Sequence, residues 1–159
     1  MTSGILDDPT RRGLIANAAA FVVTALIVNG VIFALGWNFS SAVDRPPLIP
    51  PGAVVGTVWT LLFALMGAAR WAWLRDTRDH GWRGWTPVAL AAACLAYPFY
   101  TGGLADQASG IVGTVVTMIA ALAIAALLWP GSRLAGALIV PTVAWTGWVA
   151  MVGAVYGRI

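Results

Sequence analysis

The chain lacks most of the side chains on which enzymes and soluble domains depend. Its 159 residues contain no Glu and no Lys, and only 9% are charged, as nine Arg and six Asp. Cys94 is the single cysteine and His80 the single histidine. A lone cysteine excludes an intramolecular disulfide, and a lone histidine without a clustered partner gives neither a conventional metal site nor a nucleophile triad. We therefore lean away from an enzyme and expect no metal and no obligatory cofactor.

Apolar residues dominate instead. They make up 60% of the chain, and the mean hydropathy is +0.83, more than a water-soluble domain of this size could bury in one core. A helix that crosses about 30 Å of hydrocarbon needs roughly 20 apolar residues. Five runs meet this requirement, at residues 13–35, 53–74, 85–104, 108–129 and 134–156. We expect an all-α protein in the lipid bilayer, with residues 1–159 forming one domain of five transmembrane helices.

The arginines predict how this bundle is oriented. With five spans, one side of the membrane carries Arg11, Arg12, Arg75, Arg78, Arg83 and Arg133. The opposite side carries only Arg45 and Arg158. Because positive residues are retained in the cytoplasm, we expect a cytoplasmic N-terminus, an external first loop and C-terminus, and by default a bacterial inner membrane. This distribution signals topology and argues against a nucleic-acid partner.

Arg70 is the exception, because it lies inside the second apolar run. A long side chain near the end of a span can extend to the interface, so we expect Arg70 to snorkel to the positive surface. A functional charge within the membrane is the alternative.

The chain is rich in tryptophan, with nine residues. Four of them fall at predicted span ends, where indoles favour the headgroup zone: Trp37, Trp82, Trp85 and Trp129. Helical spacing places two further sets on one face each, the first being Trp59, Phe63, Met66, Arg70 and Trp73, and the second Pro141, Trp145, Trp148 and Val152. Helix packing or lipid contact explains these faces, and so does a pocket walled by indoles for a large flat apolar ligand.

Two further patterns concern how the helices pack. Gly113, Thr117, Ala121 and Ala125 recur every four residues along the fourth span. Such a stripe of small residues lets a neighbouring helix approach closely, either within the chain or in a dimer. Pro98 and Pro141 fall inside the third and fifth spans, where each removes a backbone hydrogen bond. We expect kinks there.

One stretch carries a more specific signal, the run from the first loop into the second span, RPPLIPPGAVVGTVWTLLFALMG. Its informative positions are Arg45 with Pro46, Pro50 with Pro51, Trp59 with Thr60, Phe63, and Leu65 with Met66. In order and spacing this run resembles the TspO/MBR family of tryptophan-rich sensory proteins, which includes the translocator protein. Trp37, Val140, Pro141 and Trp145 resemble further positions of that family.

The chain also departs from the family pattern. Pro47, Leu48, Ile49 and Ala53 stand where the family has loop aromatics, Asn and Trp. In the third span Tyr97, Pro98 and Tyr100 occupy the neighbourhood of an Asn and a Trp, and Gly153 stands at the position of an Asn in the fifth. These changes affect the expected ligand more than the expected fold, because function depends on the site.

The resemblance implies a five-helix, commonly dimeric membrane protein that binds a porphyrin or other tetrapyrrole, a sterol or another pigment in an aromatic pocket covered by the first loop, for transport or regulation. The residues it implies for this site are Trp59, Phe63, Met66, Pro141, Trp145, Trp148, Arg45, Pro50 and Pro51. Arg45 would meet a ligand carboxylate or remain a solvated loop charge, and the prolines would stiffen the loop either as a lid or as a simple rigid spacer. Some family members promote light-dependent porphyrin breakdown through pocket tryptophans.

A second hypothesis belongs to another class. The lost loop and third-span residues favour an accessory or structural subunit of a larger membrane complex, whose aromatic faces and small-residue stripe contact partner helices or bound pigments. Ligand binding and partner binding both fit the sequence.

Overall fold

The structure is a computed structural model, and it describes residues 4–35, 48–104 and 107–156. Five α-helices follow one another: α1 (Arg11–Ala34), α2 (Gly52–Thr77), α3 (Thr86–Leu104), α4 (Gln107–Leu128) and α5 (Arg133–Tyr156). Two short 3₁₀ helices precede α1 and α3, at Ile5–Asp7 and Trp82–Trp85. No strand occurs in the described ranges, so the prediction of an all-α chain with five helices is confirmed there.

Four of these helices are long and apolar enough to cross a membrane, counted over the described residues: α1, α2, α4 over Ser109–Leu128, and α5. That α3 is the fifth span, and that the chain is one domain, stay predictions.

Local hydrogen bonds define where the helices begin and end. Thr10 precedes α1, and its hydroxyl accepts from the amide of Arg12, as an N-cap residue does. The Asp8 carboxylate accepts from the amide and hydroxyl of Thr10, and these bonds lower the pKa of that exposed acid. At the other end of α2, Arg78 adopts a left-handed conformation with φ of 55° and donates its amide to the Leu74 carbonyl, which ends the helix.

Helix α2 lies at the centre of the packing. It packs against α1, α3 and α5, while α4 packs against α3 and α5, so the order around the bundle is α1, α2, α5, α4, α3. The buried face of α2 includes Phe63, Met66 and Trp73, which contact a core completed by residues of the other helices. Many large apolar side chains outside this core are exposed, as expected for a bundle that faces lipid.

Glycine sets the distance between α1 and α2. A Cβ atom on Gly67 would lie 2.6 Å from the carbonyl oxygen of Asn17 and 3.0 Å from the Cα of Ala18. Such contacts are too short for any side chain, so α1 can lie this close only because position 67 is glycine. Helix association in lipid depends on packing of this kind, since hydrocarbon tails are as apolar as leucine.

The contact between α4 and α5 uses the predicted small-residue stripe. Ala121 and Ala125 are buried, and a Cβ on Gly136 of α5 would lie 2.9 Å from the carbonyl oxygen of Ala125. This part of the stripe therefore packs within the chain. Ser132, just before α5, adds two hydrogen bonds. Its hydroxyl donates to the Asp76 carboxylate at 2.6 Å and accepts from the amide of Ala135.

The expectation that Arg70 snorkels to the surface is wrong. Its side chain is only 9% exposed, and its guanidinium donates to the Asn17 amide oxygen at 2.7 Å, the Leu6 carbonyl at 3.0 Å and the Asp7 carboxylate at 3.2 Å. Asn17 in turn donates to the carbonyls of Leu6 and Gly13. Partners inside the protein replace water, so the charge stays in the bundle.

Helix α5 carries two buried polar atoms for which the described part of the chain supplies no hydrogen-bond partner. Pro141 lies within the helix, as Pro98 lies within α3. Next to it, the Thr142 hydroxyl is buried and has no hydrogen-bond partner among the described residues, and the same holds for the indole N–H of Trp145. By contrast, the buried Thr146 hydroxyl donates to the Thr142 carbonyl at 2.7 Å.

Gly67→Ala tests the close contact between α1 and α2. The added methyl group meets backbone atoms that cannot rotate away, so we expect a loss of about 1–3 kcal/mol in the free energy of unfolding. The matched control is Gly56→Ala in the same helix, where nothing lies within 4 Å of the added Cβ; that variant should gain about 0.5 kcal/mol. Unfolding in detergent, followed by near-UV circular dichroism, measures both. Equal free energies of unfolding for the two variants would contradict a close contact between α1 and α2 at Gly67.

Thr142→Val tests the unpaired hydroxyl. Removing a buried polar group that lacks a partner, with little change in shape, should stabilise the protein by about 1 kcal/mol. Thr146→Val, which removes a bonded hydroxyl from the same helix, should instead destabilise it by about 0.6 kcal/mol. The same unfolding measurement separates the two signs, and a marked loss of stability in Thr142→Val would reveal a partner for this hydroxyl.

Candidate functional site

A shallow groove runs between α2 and α5, with a volume of about 370 Å³. We call it the α2–α5 groove, and its lining consists of Val58, Leu61, Leu62 and Leu65 from α2 and Pro141, Ala144, Trp145 and Trp148 from α5. Leu61 is 59% exposed and Trp148 is 40% exposed. The groove is therefore open on the outer side of the bundle, where a membrane protein meets lipid.

Helical periodicity explains how each wall is built. Pro141, Trp145 and Trp148 are four and three residues apart, which places them on one face of α5. The four residues of α2 fall at positions i, i+3, i+4 and i+7, which is one face of a helix as well. Since α2 and α5 pack against each other, the two faces meet along one seam.

The structure divides the predicted ligand residues into two groups. Those of α5 (Pro141, Trp145 and Trp148) line the groove. Those of α2 (Trp59, Phe63 and Met66) belong to a different, core-facing side of that helix, where Phe63 and Met66 are buried. Trp59 is partly buried against the core, with its ring centroid 6.0 Å from that of Phe63.

The loop residues of the prediction are placed only in part. Arg45 and its neighbours Pro46 and Pro47 lie outside the described residues, as does Trp37. Pro50 and Pro51 directly precede α2, and the carbonyl of Pro51 accepts from the amides of Val54 and Val55 in the first turn. The assignment of all nine predicted residues to one ligand site stays a prediction.

Sequence reasoning missed the α2 wall of the groove. Val58, Leu61, Leu62 and Leu65 form a regular helical stripe, but every face of a helix in lipid can carry apolar residues, so the stripe contains no signal of its own. The aromatic residues directed attention to the Trp59 face instead. Only a knowledge of which face of α2 packs against α5 would have identified the groove.

The chemistry of the groove is limited to shape, apolar contact and aromatic stacking. No lining residue is ionisable. In the described ranges no group of three or more His, Cys, Asp and Glu residues could hold a metal ion. The one polar atom to note is the indole N–H of Trp145, which is buried without an acceptor among the residues described. The arrangement can bind a molecule, and it contains no acid, base or nucleophile to transform one.

Comparison with models of protein families gives a match. The model of the TspO/MBR family matches residues 15–156, a range that reaches from the first turns of α1 to the end of α5. Comparison with curated proteins and with solved structures gave no match. The family match covers most of the chain, and the all-helical fold with its membrane-spanning helices agrees with it. The chain is an integral membrane protein and belongs to the TspO/MBR family.

Proposed function

We propose that this protein binds a large flat apolar molecule, such as a porphyrin or a sterol, and acts as a membrane sensor or carrier for it. Family membership supports a membrane sensor or ligand-binding protein in general. The observation that carries the finer proposal is the α2–α5 groove, in which the rings of Trp145 and Trp148 lie on a wall opposite the aliphatic side chains of α2.

The surrounding lipid decides which ligands such a groove can select. A molecule that moves from hydrocarbon into the groove gains almost no hydrophobic free energy, because lipid tails are as apolar as leucine. Selectivity must therefore come from stacking and from a rigid shape that fills the space without loss of conformational entropy. Each aromatic contact contributes about 0.5–1.5 kcal/mol beyond burial. A rigid ring system fits these requirements better than a flexible acyl chain.

A polar group on the ligand would find a donor at the wall. The indole N–H of Trp145 is buried and finds no acceptor in the part of the chain that the structure describes, and a buried donor that lacks an acceptor costs about 1–3 kcal/mol. A carbonyl or carboxylate oxygen on the ligand would supply that acceptor after a small rotation of the ring. Porphyrin propionates and sterol oxygens are groups of this kind. The first loop, with Arg45, would cover the site from the outside.

The accessory-subunit hypothesis has an observation of its own. The α2–α5 groove opens laterally, so the side chains of a partner helix could occupy it in place of a small molecule. The core-facing aromatics of α2 are already packed and leave less room for a ligand inside the bundle. A homodimer formed along this face is one form of the same alternative.

Protoporphyrin IX tests the ligand proposal. Purified protein in mild detergent is titrated with the porphyrin, and binding is followed by the shift of the Soret absorption band. Changing Trp145→Leu and Trp148→Leu together should weaken binding about tenfold, because two stacking contacts are lost. Trp82→Leu is the matched control, since Trp82 is 66% exposed and lies outside the groove; it should bind like the unchanged protein.

Two results would reject the ligand proposal. One is a titration that never saturates. The other is equal loss of binding in the control and in the double variant, which would indicate general damage or partition into micelles. Copurification of a membrane protein in stoichiometric amount, together with no saturable binding of porphyrin or sterol, would favour the accessory subunit.

We further propose a cytoplasmic N-terminus with the first loop outside, in a bacterial inner membrane. Leu48→Cys and His80→Cys, each in a Cys94→Ala background, place one thiol on each side; both native side chains are exposed. An impermeant maleimide should label the first variant in intact spheroplasts and the second only after lysis. The reverse pattern would invert the proposed orientation.

A further inference from the structure

A second pocket, lined in part by the side chains of Asp7, Arg70 and His80, lies at the end of the bundle where α2 finishes and α1 begins. Its volume is about 430 Å³, within the range of small-molecule sites. The lining comes from the N-terminal segment, α2 and the connection to α3, and consists of Gly4, Ile5, Leu6, Asp7, Arg70, Leu74, His80, Gly84 and Trp85. Pro51 and Arg70 are 19 residues apart, about 28 Å along a helix, so this pocket lies far from the first loop.

Arg70 is the centre of this pocket. A guanidinium group has five N–H donors, and the three described acceptors, Leu6, Asn17 and Asp7, use three of them. The Nε–H and one N–H of Nη2 have no acceptor among the described residues. The guanidinium carbon lies 5.1 Å from the centroid of the Trp85 ring, which holds the group in place from one face.

The N-terminal segment supplies an acid to this arginine. Asp7 lies in the short 3₁₀ helix before α1, and its carboxylate is 3.2 Å from Nη2 of Arg70 and 3.8 Å from Nδ1 of His80. Asp7 is 31% exposed in its side chain. The Asp7 carboxylate thus lies between the side chains of Arg70 and His80. An oxyanion from outside would occupy the same position.

The surroundings indicate which oxyanion. Trp82 and Trp85 are exposed at the same end of the bundle, as tryptophans at the headgroup level are. Further arginines lie nearby on ring faces, with Arg75 over Trp71 and Arg83 over Trp82. Phosphate is the oxyanion of the headgroup zone, and its oxygens can accept from the paired donors of a guanidinium in the same bidentate geometry as a carboxylate.

We propose that the Arg70 pocket binds a phosphate group, with His80 as a second donor and Asp7 as an internal competitor. The phosphate belongs either to a lipid headgroup or to a free phosphate ion. This site is separate from the α2–α5 groove and does not depend on the ligand proposed there.

Two probes and one matched pair of variants test the proposal on the full chain in neutral detergent. Inorganic phosphate is titrated against chloride at constant ionic strength, with the thermal unfolding midpoint as readout, because a bound anion raises it. Phosphatidylglycerol in the micelles is the second probe, with retained lipid counted by native mass spectrometry. Asp7→Asn removes the competing charge and should bind at least one probe about fivefold more tightly.

Asp8→Asn is the control for that variant. It removes the same charge one residue away, and its amide oxygen can still accept from Thr10, as Asp8 does at 2.8 Å; binding should match the unchanged protein. Arg70→Lys keeps the charge but loses the paired donors, and His80→Ala alters an exposed side chain without disturbing the core. Both should bind the same probe about threefold or more weakly.

The outcomes are distinct. Stronger binding of phosphatidylglycerol alone in Asp7→Asn assigns a lipid headgroup, and stronger binding of inorganic phosphate assigns a free ion. Equal binding by Asp7→Asn, Asp8→Asn and the unchanged protein would overturn the proposal, as would the absence of binding for both probes. If Asp7→Asn does not fold, unchanged binding in His80→Ala overturns it equally.

Discussion

Close contact between helices is the interaction on which the rest of this structure depends. In hydrocarbon the backbone must satisfy its own hydrogen bonds, which makes the chain helical, but lipid gives the helices no hydrophobic reason to associate. Helices then associate only where they pack against each other more closely than lipid tails could pack against them. Gly67 and Gly136 permit this where a Cβ atom would strike the backbone of the neighbouring helix.

At one end of the bundle, hydrogen bonds of the buried Arg70 side chain connect the helices in place of close packing at a glycine. A buried charge stabilises a membrane protein only when partners replace water, and those partners come from the N-terminal segment and from α1. Asn17 takes part twice, since it accepts from Arg70 and donates to Leu6 and Gly13. Removal of any member would leave the others unsatisfied. This network, more than apolar contact, holds residues 5–7 over the end of α2.

Much of the fold could be predicted, and the failures have physical causes. The described helices begin and end within a few residues of the predicted runs, because span length and polar breaks are local properties. Helix packing was one of the interpretations of the α2 face that carries Phe63 and Met66, and both side chains are buried. The expectation for Arg70 was wrong because its side-chain partners lie 53 and 63 residues away. No local pattern reveals such a partner.

The packing of the helices also determines which aromatic side chains are available to a ligand. Leu48 and Ala53 stand where the resemblance would place aromatic residues. Both are exposed, and neither has an aromatic ring. The packing of Phe63 and Met66 into the core leaves the rings of α5 as the aromatic lining of the groove. A ligand held there meets lipid on its open side, so water is not expelled and apolar area alone cannot retain it. Retention of the proposed ligand would depend on the two indole faces and on a ligand acceptor for the Trp145 N–H. The position of α5, where Gly136 and Ser132 make close contacts, would then determine what the groove can hold.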